Sequence, residues 1–325
     1  MDSLVTEFLK RVSLGEISQF EHMAVVPLFG PTDGPYYLTL SEAVADGSLH
    51  VTEIDKHGSV PQLRVENHAD LPVLLLDGEE LAGAKQNRVL NTTILLKAAS
   101  TTIIPVSCTE QGRWSYTSPT FTDSGYVMHP RARRSKIDAV SASLSNKKGY
   151  QSDQGEIWSE VHDLACRAGS HSETRAMRDV YESRRSGLED YLKAFPPADN
   201  QTGLMVLIDG VPAGMDIVSR PEAFEHLRPK LTTSYAMEAL LSGHEKPITA
   251  SINTALRFIS QARAAHGVQY ESVGHGTDLR FASAHVVGSA LVYNEDVIHA
   301  AFFPRESDSD GGHMSGPSSR RMFRI

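Results

Sequence analysis

Cysteine is almost missing from this chain: Cys108 and Cys166 are the two among 325 residues. Two thiols cannot build a disulfide framework, and such scarcity fits a reducing compartment. Long apolar runs are missing as well. None approaches the roughly 18 residues that a membrane span needs. The opening Met1-Asp2-Ser3-Leu4-Val5 lacks the basic start and apolar stretch of a signal peptide. Positive charge is in deficit, with 31 Lys and Arg against 40 Asp and Glu and a formal net charge of -9. Such a field disfavours non-specific binding of nucleic acid. Metal-binding patterns are absent too, because the 14 histidines are scattered and neither His-Glu-x-x-His nor a paired Cys-x-x-Cys occurs. The expectation is a cytoplasmic protein without a membrane partner, a nucleic-acid partner or a metal.

What is present is an ordinary globular composition, 40% hydrophobic and 22% charged. The length suggests about two domains and suffices for a sizeable core. Leu4, Val5, Phe8, Leu9 and Val12 fall on one helical face. Met23 to Phe29 has the β-branched and aromatic content of a buried strand. Thr39-Leu40-Ser41-Glu42 reads as a capping box, with Gly47 as the stop of a short helix. From about residue 60 to 116 strand follows strand without helix-length crossovers, which predicts antiparallel pairing. Residues 131–195 turn helical: Ile157, Val161, Leu164, Ala165 and Ala168 form one stripe, and Met177, Val180, Tyr181, Leu188, Tyr191, Leu192 and Phe195 a second. Asp209-Gly210 marks a hairpin. A helical stretch from Ser219-Arg220-Pro221-Glu222 to about Ala265 precedes four closing strands.

The fold class expected is α+β, with a mainly antiparallel, sandwich-like β core, a helical insertion and a C-terminal α+β part. The expected division is a β-rich domain at 1–130, a helical segment at 131–200, a C-terminal part at 201–305 packing on the first, and a flexible tail at 306–325. The tail is rich in Ser, Gly and Asp.

Chemistry concentrates between Leu71 and Trp114. Glu79 and Glu80 follow a glycine turn, and neighbouring carboxylates suit acid/base work because proximity raises one pKa. In a strand they would point to opposite faces, so one alone would enter a site. A solvated turn with surface ion pairs is the plainer reading. Lys85-Gln86-Asn87-Arg88 offers two cations and two amides suited to a phosphate or carboxylate, although a solvated charged turn explains it equally. It is not a phosphate loop, because Ala84-Lys85 follows Gly83 where Lys-Ser/Thr is required. Cys108 could be a nucleophile with Arg113 lowering its pKa, or a buried structural cysteine. Glu110 is a further carboxylate, and Trp114 suits either ring stacking or core packing. In Gly274 to Phe281, His275, Asp278 and Arg280 could act as base, orienter and anion clamp, or belong to a plain hairpin. His299 reads as a satisfied core histidine. The cluster His129, Arg131, Arg133, Arg134 and Lys136 reads as a solvated helix start able to meet phosphate.

Two of these stretches carry a resemblance. Leu75 to Asn91, which contains Asp77-Gly78-Glu79-Glu80-Leu81-Ala82-Gly83-Ala84-Lys85-Gln86-Asn87-Arg88, and Ile104 to Trp114 resemble a bacterial domain family. That family is named for its association with ADP-ribosylglycohydrolases and rhodanese-phosphatase proteins. Gly274 to Phe281 and Ala290 to Phe302 look similar to its C-terminal part, so the resemblance spans roughly residues 15–303. It implies a place in ADP-ribose or nucleotide-derivative metabolism, and interest in Glu79, Glu80, Lys85, Gln86, Asn87, Arg88, Cys108, Glu110, Arg113 and Trp114. Three readings follow. The first is a hydrolase or transferase acting on an ADP-ribose-like small molecule, with glutamates as acid/base groups and Lys85, Arg88, Arg113 and Arg280 on phosphate. The second is a non-enzymatic module that binds a nucleotide or a partner enzyme. The third is an assembly protein, which leaves the polar clusters without a role; homo-oligomers are compatible with any of them.

Overall fold

The computed structural model describes residues 2–55 and 60–305, so the tail expected from Glu306 onward lies outside the described residues. The class is α+β, and the β part is almost wholly antiparallel. Six strands, Ser100–Cys108, Gln62–Asn67, Leu49–Glu53, Phe121–Val127, Glu79–Gly83 and Arg88–Leu90, close into a barrel in that order. Period-two alternation explains its filling: Leu49, Val51, Leu63, Val65 and Ile104 are buried, while His50, Ile103 and other intervening residues keep contact with solvent. Three short strands, Ile94–Leu96, Val73–Leu75 and Leu38–Thr39, form a small sheet beside it.

The larger sheet has nine strands, and it joins the two ends of the chain. Met23–Phe29 pairs with Gly203–Ile208, which continues through the Asp209-Gly210 turn into Val211–Val218. Asp209 and Gly210 both have positive φ, as that two-residue turn requires. Asp296–Pro304, Val286–Tyr293, Thr277–Ala282 and His266–Glu271 follow, and the short strands Ser13–Leu14 and Ser18–Phe20 pair with Met23–Phe29 to complete it. The strands read as near-continuous apolar runs because both faces are covered. Met23, Val25, Leu204, Val206 and Phe303 face one core; Ala24, Val26, Met205, Leu207 and Phe302 face another. Each of these side chains larger than Ala24 contributes about 1.5–3 kcal/mol by leaving water.

Helices cover the two faces. Asp2–Arg11 lays Val5, Phe8 and Leu9 on one core beside Phe258 and Ile259 of helix Ile252–Arg263. On the other core sit helices Pro130–Ser145, Gln154–Ala168, Met177–Ser183, Arg185–Ala194 and Pro221–Leu240. The capping box forms at Thr39 and Glu42. Two boundaries differ from expectation. The stripe from Met177 to Phe195 is broken at Arg184 into two helices. The long stretch after Pro221 is two helices, the first ending at Leu240, with Arg220 rather than Ser219 at its cap. Ser219 instead bonds the hydroxyl of Tyr37.

A charged cluster lies in the wall between sheet and helices. Asp216, on the sheet, accepts two bonds from Arg133 of helix Pro130–Ser145, at 2.9 and 2.6 Å. It also accepts the Tyr235 hydroxyl at 2.7 Å and faces His299 Nε2 at 3.2 Å. The other nitrogen of His299 meets Thr93 Oγ1 at 2.8 Å, so the core-histidine reading holds. Lys136, one turn along from Arg133, is in direct contact with Asp77 and donates to Leu90 O. All seven side chains are essentially excluded from solvent. Arg133 and Lys136 are therefore part of the interior, not of a solvated helix start.

Burial alone would raise the Asp216 pKa, but the charge of Arg133 and the bonds from His299 and Arg133 outweigh it and hold the carboxyl well below the usual range. Removing one member of a buried pair leaves the other uncompensated. Asp216→Asn should lose about 3–5 kcal/mol of stability, seen as a lower urea midpoint at unchanged slope. A depressed carboxylate stabilises above its unfolded pKa and loses that contribution as pH falls toward the native value. The midpoint gap between the two proteins should therefore stay constant from about pH 8 to about pH 5 and shrink in stronger acid.

Candidate functional site

The two central motifs meet at one corner of the barrel. Strands Glu79–Gly83 and Arg88–Leu90 pair with Leu81 opposite Arg88, and Arg88 pairs on its other side with Cys108. The turn between them begins at Gly83, φ +131°, where a Cβ would lie 2.6 Å from Ser118 Oγ and 2.7 Å from Thr120 O. Only glycine tolerates that approach. Ala84 follows with φ 39°, an unusual value for a residue with a side chain.

Arg113 holds this corner in place. Its guanidinium donates to the carbonyls of Ala84 at 2.7 Å and Gly83 at 3.3 Å, to Asn87 Oδ1 at 3.1 Å, and to Glu110 Oε2 at 2.6 Å. Glu110 Oε2 also accepts the Asn87 amide at 3.0 Å. Gln86 bridges the second motif by donating to Glu110 O at 2.9 Å, while its Oε1 accepts from Arg88 and from the Cys108 thiol. Arg88 Nη2 lies 3.9 Å from Glu53 Oε1 across the barrel mouth. Lys85 sits between two exposed rings, 5.2 Å from the centroids of both Trp114 and Tyr116.

Lys85, Gln86, Asn87 and Arg88 are all buried, which corrects the picture of a solvated charged turn. Glu79 and Glu80 are buried as well, and the strand does send them to opposite sides. Glu79 pairs with Lys230 at 2.7 Å, and Lys230 also reaches Asp123 at 2.6 Å. Glu80 Oε1 accepts the Thr109 hydroxyl at 2.6 Å, and Oε2 accepts no hydrogen bond. Burial, outweighing the opposing influence of the Thr109 and Ser124 hydroxyls, pushes the Glu80 carboxyl up to about 7. Burial also pushes the Cys108 thiol up, and Arg88 does not reverse this, so the environment opposes thiolate formation.

Beside this corner opens a cleft of about 560 Å³ against helix Met177–Ser183. Ala82, Gly83, Asn87, Glu110 and Arg113 form one wall, and Arg178, Asp179 and Glu182 the other. Glu80 lies on the same strand face as Ala82, one pleat deeper. The charge of Arg178 acts on it from the far wall. Arg178 has no signal in the sequence, because its helix reads as an ordinary amphipathic stripe.

The late loop does not join the cleft. Asp278 and Arg280 lie on strand Thr277–Ala282, pair with each other at 2.6 Å and bond Thr92. His275 stacks on Tyr293 with centroids 4.5 Å apart. Arg131 and Arg134, from the basic cluster, line a separate cavity of about 530 Å³ with Arg167 and Glu238.

Residues 11–303 match the family described as the ARG and Rhodanese-Phosphatase-superfamily-associated Protein domain, ARPP-1. The chain belongs to this family. Both central motifs and the late strands fall within the matched span, and the name ties ARPP-1 to proteins associated with ADP-ribosylglycohydrolase (ARG). No curated protein and no solved structure matches the chain. Among the described residues no helix is long and apolar enough to cross a membrane.

A carboxyl raised in the folded state favours folding while it is protonated, and the contribution fades as pH rises through the folded pKa. Glu80 should therefore weaken the protein between about pH 4 and about pH 7. Glu80→Gln keeps an acceptor for Thr109 and has no charge to bury. It should be more stable than the unsubstituted protein at pH 8, by about 3 kcal/mol, and no more stable at pH 4. Urea midpoints at the two pH values decide this.

Proposed function

We propose that the ARPP-1 cleft binds an ADP-ribose-like or other nucleotide-derived small molecule and that Glu80 supplies acid/base chemistry for hydrolysis or transfer at its glycosidic centre. The observation that carries this reading is Glu80 itself. A carboxyl with a pKa near the working pH is poised to give and take a proton. It lies on the strand face of the cleft-lining Ala82, two residues along, with Oε2 free of a geometric hydrogen bond. In the proposed step, the bond from the anomeric carbon to its leaving atom breaks, and protonated Glu80 delivers its proton to that atom. The oxygen of water or of an acceptor forms the new bond and gives its proton to the Glu80 carboxylate left by the first transfer, which restores the acid. Glu110, whose side chain lines the cleft, is assigned to stabilise the positive charge that develops on the sugar. Arg178 on the cleft wall and Lys85 are the cations assigned to phosphate, and Trp114, half exposed beside Lys85, is assigned to stack on the base. Gln86, Asn87, Arg88 and Arg113 shape the wall through the bonds described above. The family name supports the substrate class by association.

The second reading is a binding module without turnover, favoured by Arg113, whose donors are spent on the protein itself. One experiment separates the two. Calorimetry with ADP-ribose should show binding that weakens at least roughly tenfold in Arg178→Ala, as loss of a charge-assisted contact predicts. Chromatography of the same mixture should then show products, which disappear in Glu80→Gln while binding persists. Binding without products supports the module. Absence of binding removes ADP-ribose as the ligand.

A further inference from the structure

The outer face of the barrel carries three side chains that the register brings together. His50 lies opposite Glu66 in the antiparallel pair Leu49–Glu53 with Gln62–Asn67. His68 follows Glu66 by two residues, and its amide donates to Ser48 O at 2.8 Å, which extends the pairing by one more step. The three residues therefore occupy neighbouring positions on one side of two strands, where cross-strand Cβ atoms stand roughly 5 Å apart. Alternation sends Leu49, Val51, Val65 and Asn67 inward and leaves these three outward.

Their donor atoms converge. His68 Nε2 lies 3.7 Å from Glu66 Oε2, and the two imidazole rings meet edge to face with centroids 5.2 Å apart. One ligand atom from each of the three lies within 4.8 Å of the other two. Ligands at 2.0–2.1 Å around a tetrahedral Zn²⁺ stand roughly 3.3 Å apart, so small side-chain rotations bring all three onto one ion. Two imidazoles and a carboxylate form a donor set that suits borderline divalent metals and not Ca²⁺ or Mg²⁺, which prefer oxygen throughout. Three protein ligands leave a coordination position open to water or to a further donor.

We propose that His50, Glu66 and His68 form a binding site for a divalent transition metal of the Zn²⁺ class on the outer wall of the barrel. The site is separate from the cleft: the strands that bear it are neighbours in the barrel, and Leu49–Glu53 is joined to the cleft strand Glu79–Gly83 through Phe121–Val127. Bound metal clips the two strands together across their exposed face. The sequence could not reveal this set, because His50 and Glu66 are sixteen positions apart and only strand register makes them neighbours.

The test uses the tag-free 325-residue chain treated with chelator and titrated with Zn²⁺ by calorimetry, and separately with Co²⁺ by absorption. The expected result is one Zn²⁺ per chain at this site, a Co²⁺ spectrum with visible d–d bands, and a rise in melting temperature with Zn²⁺. Loss of an outer-shell partner alone weakens metal sites about 10–100-fold. His50→Ala and His68→Ala should each weaken binding at least that much and remove the d–d bands, with Glu66→Gln intermediate. These side chains are exposed, so the chelated variants should melt with the unsubstituted protein, which separates lost ligation from lost folding. No binding by the unsubstituted protein overturns the proposal. Equal affinity and spectra in His50→Ala and His68→Ala also overturn it, by locating the metal elsewhere.

Discussion

Asp216 is the point on which the interior closes. A carboxylate in the middle of a two-sided apolar sheet is tolerable only because three groups from elsewhere in the chain converge on it. Arg133 and Tyr235 come from two different helices, and His299 from the neighbouring strand. Through His299 and Thr93 the same network reaches the segment after the first central motif, whose own Asp77 takes Lys136. Low dielectric makes each of these bonds strong and makes any missing partner costly. The network thus fixes how the barrel, the helices and the sheet meet, more by specificity of fit than by net stabilisation.

The same rule governs the cleft. Arg113 spends its donors on the Gly83–Ala84 corner, on Asn87 and on Glu110, so a guanidinium that could have gripped a ligand is used to hold a wall. Glu80 is the opposite case, a buried carboxyl without a cationic partner in contact, whose pKa burial pushes up to about 7. Perturbed groups of the second kind mark sites more often than satisfied hubs do. That contrast, more than the number of charges in the motif, separates scaffold from chemistry here.

Local signals were read correctly where the physics is local. The Thr39–Glu42 cap, the Asp209-Gly210 turn and the apolar stripe of the leading helix each depend on a few neighbouring residues. Barrel closure was not legible, because Ser100–Cys108 must pair with Gln62–Asn67 along one part and with Arg88–Leu90 along another. Charge was the least legible property. Lys85, Arg88, Arg133 and Lys136 look like surface residues in any linear reading, and only tertiary partners reveal that they are interior. One clue was present, an Asp within an otherwise apolar strand at 211–218, and its meaning depended on partners distant in the chain.

The pairing of Met23–Phe29 with Gly203–Ile208 has a consequence for how the chain comes together. Leu28 lies directly opposite Gly203, so everything between them leaves the sheet and returns to it at almost the same place. The barrel and the first four helices of the face that carries Asp216's partners thus form one long excursion from a single seam. Closing a loop of that size is entropically expensive and slow, and the reward arrives only when the strand after residue 203 has been made. During synthesis from the N-terminus, the opening strand must wait with one edge unpaired while the excursion folds. Order of assembly is therefore built into the topology: barrel first, seam second, and the closing strands last.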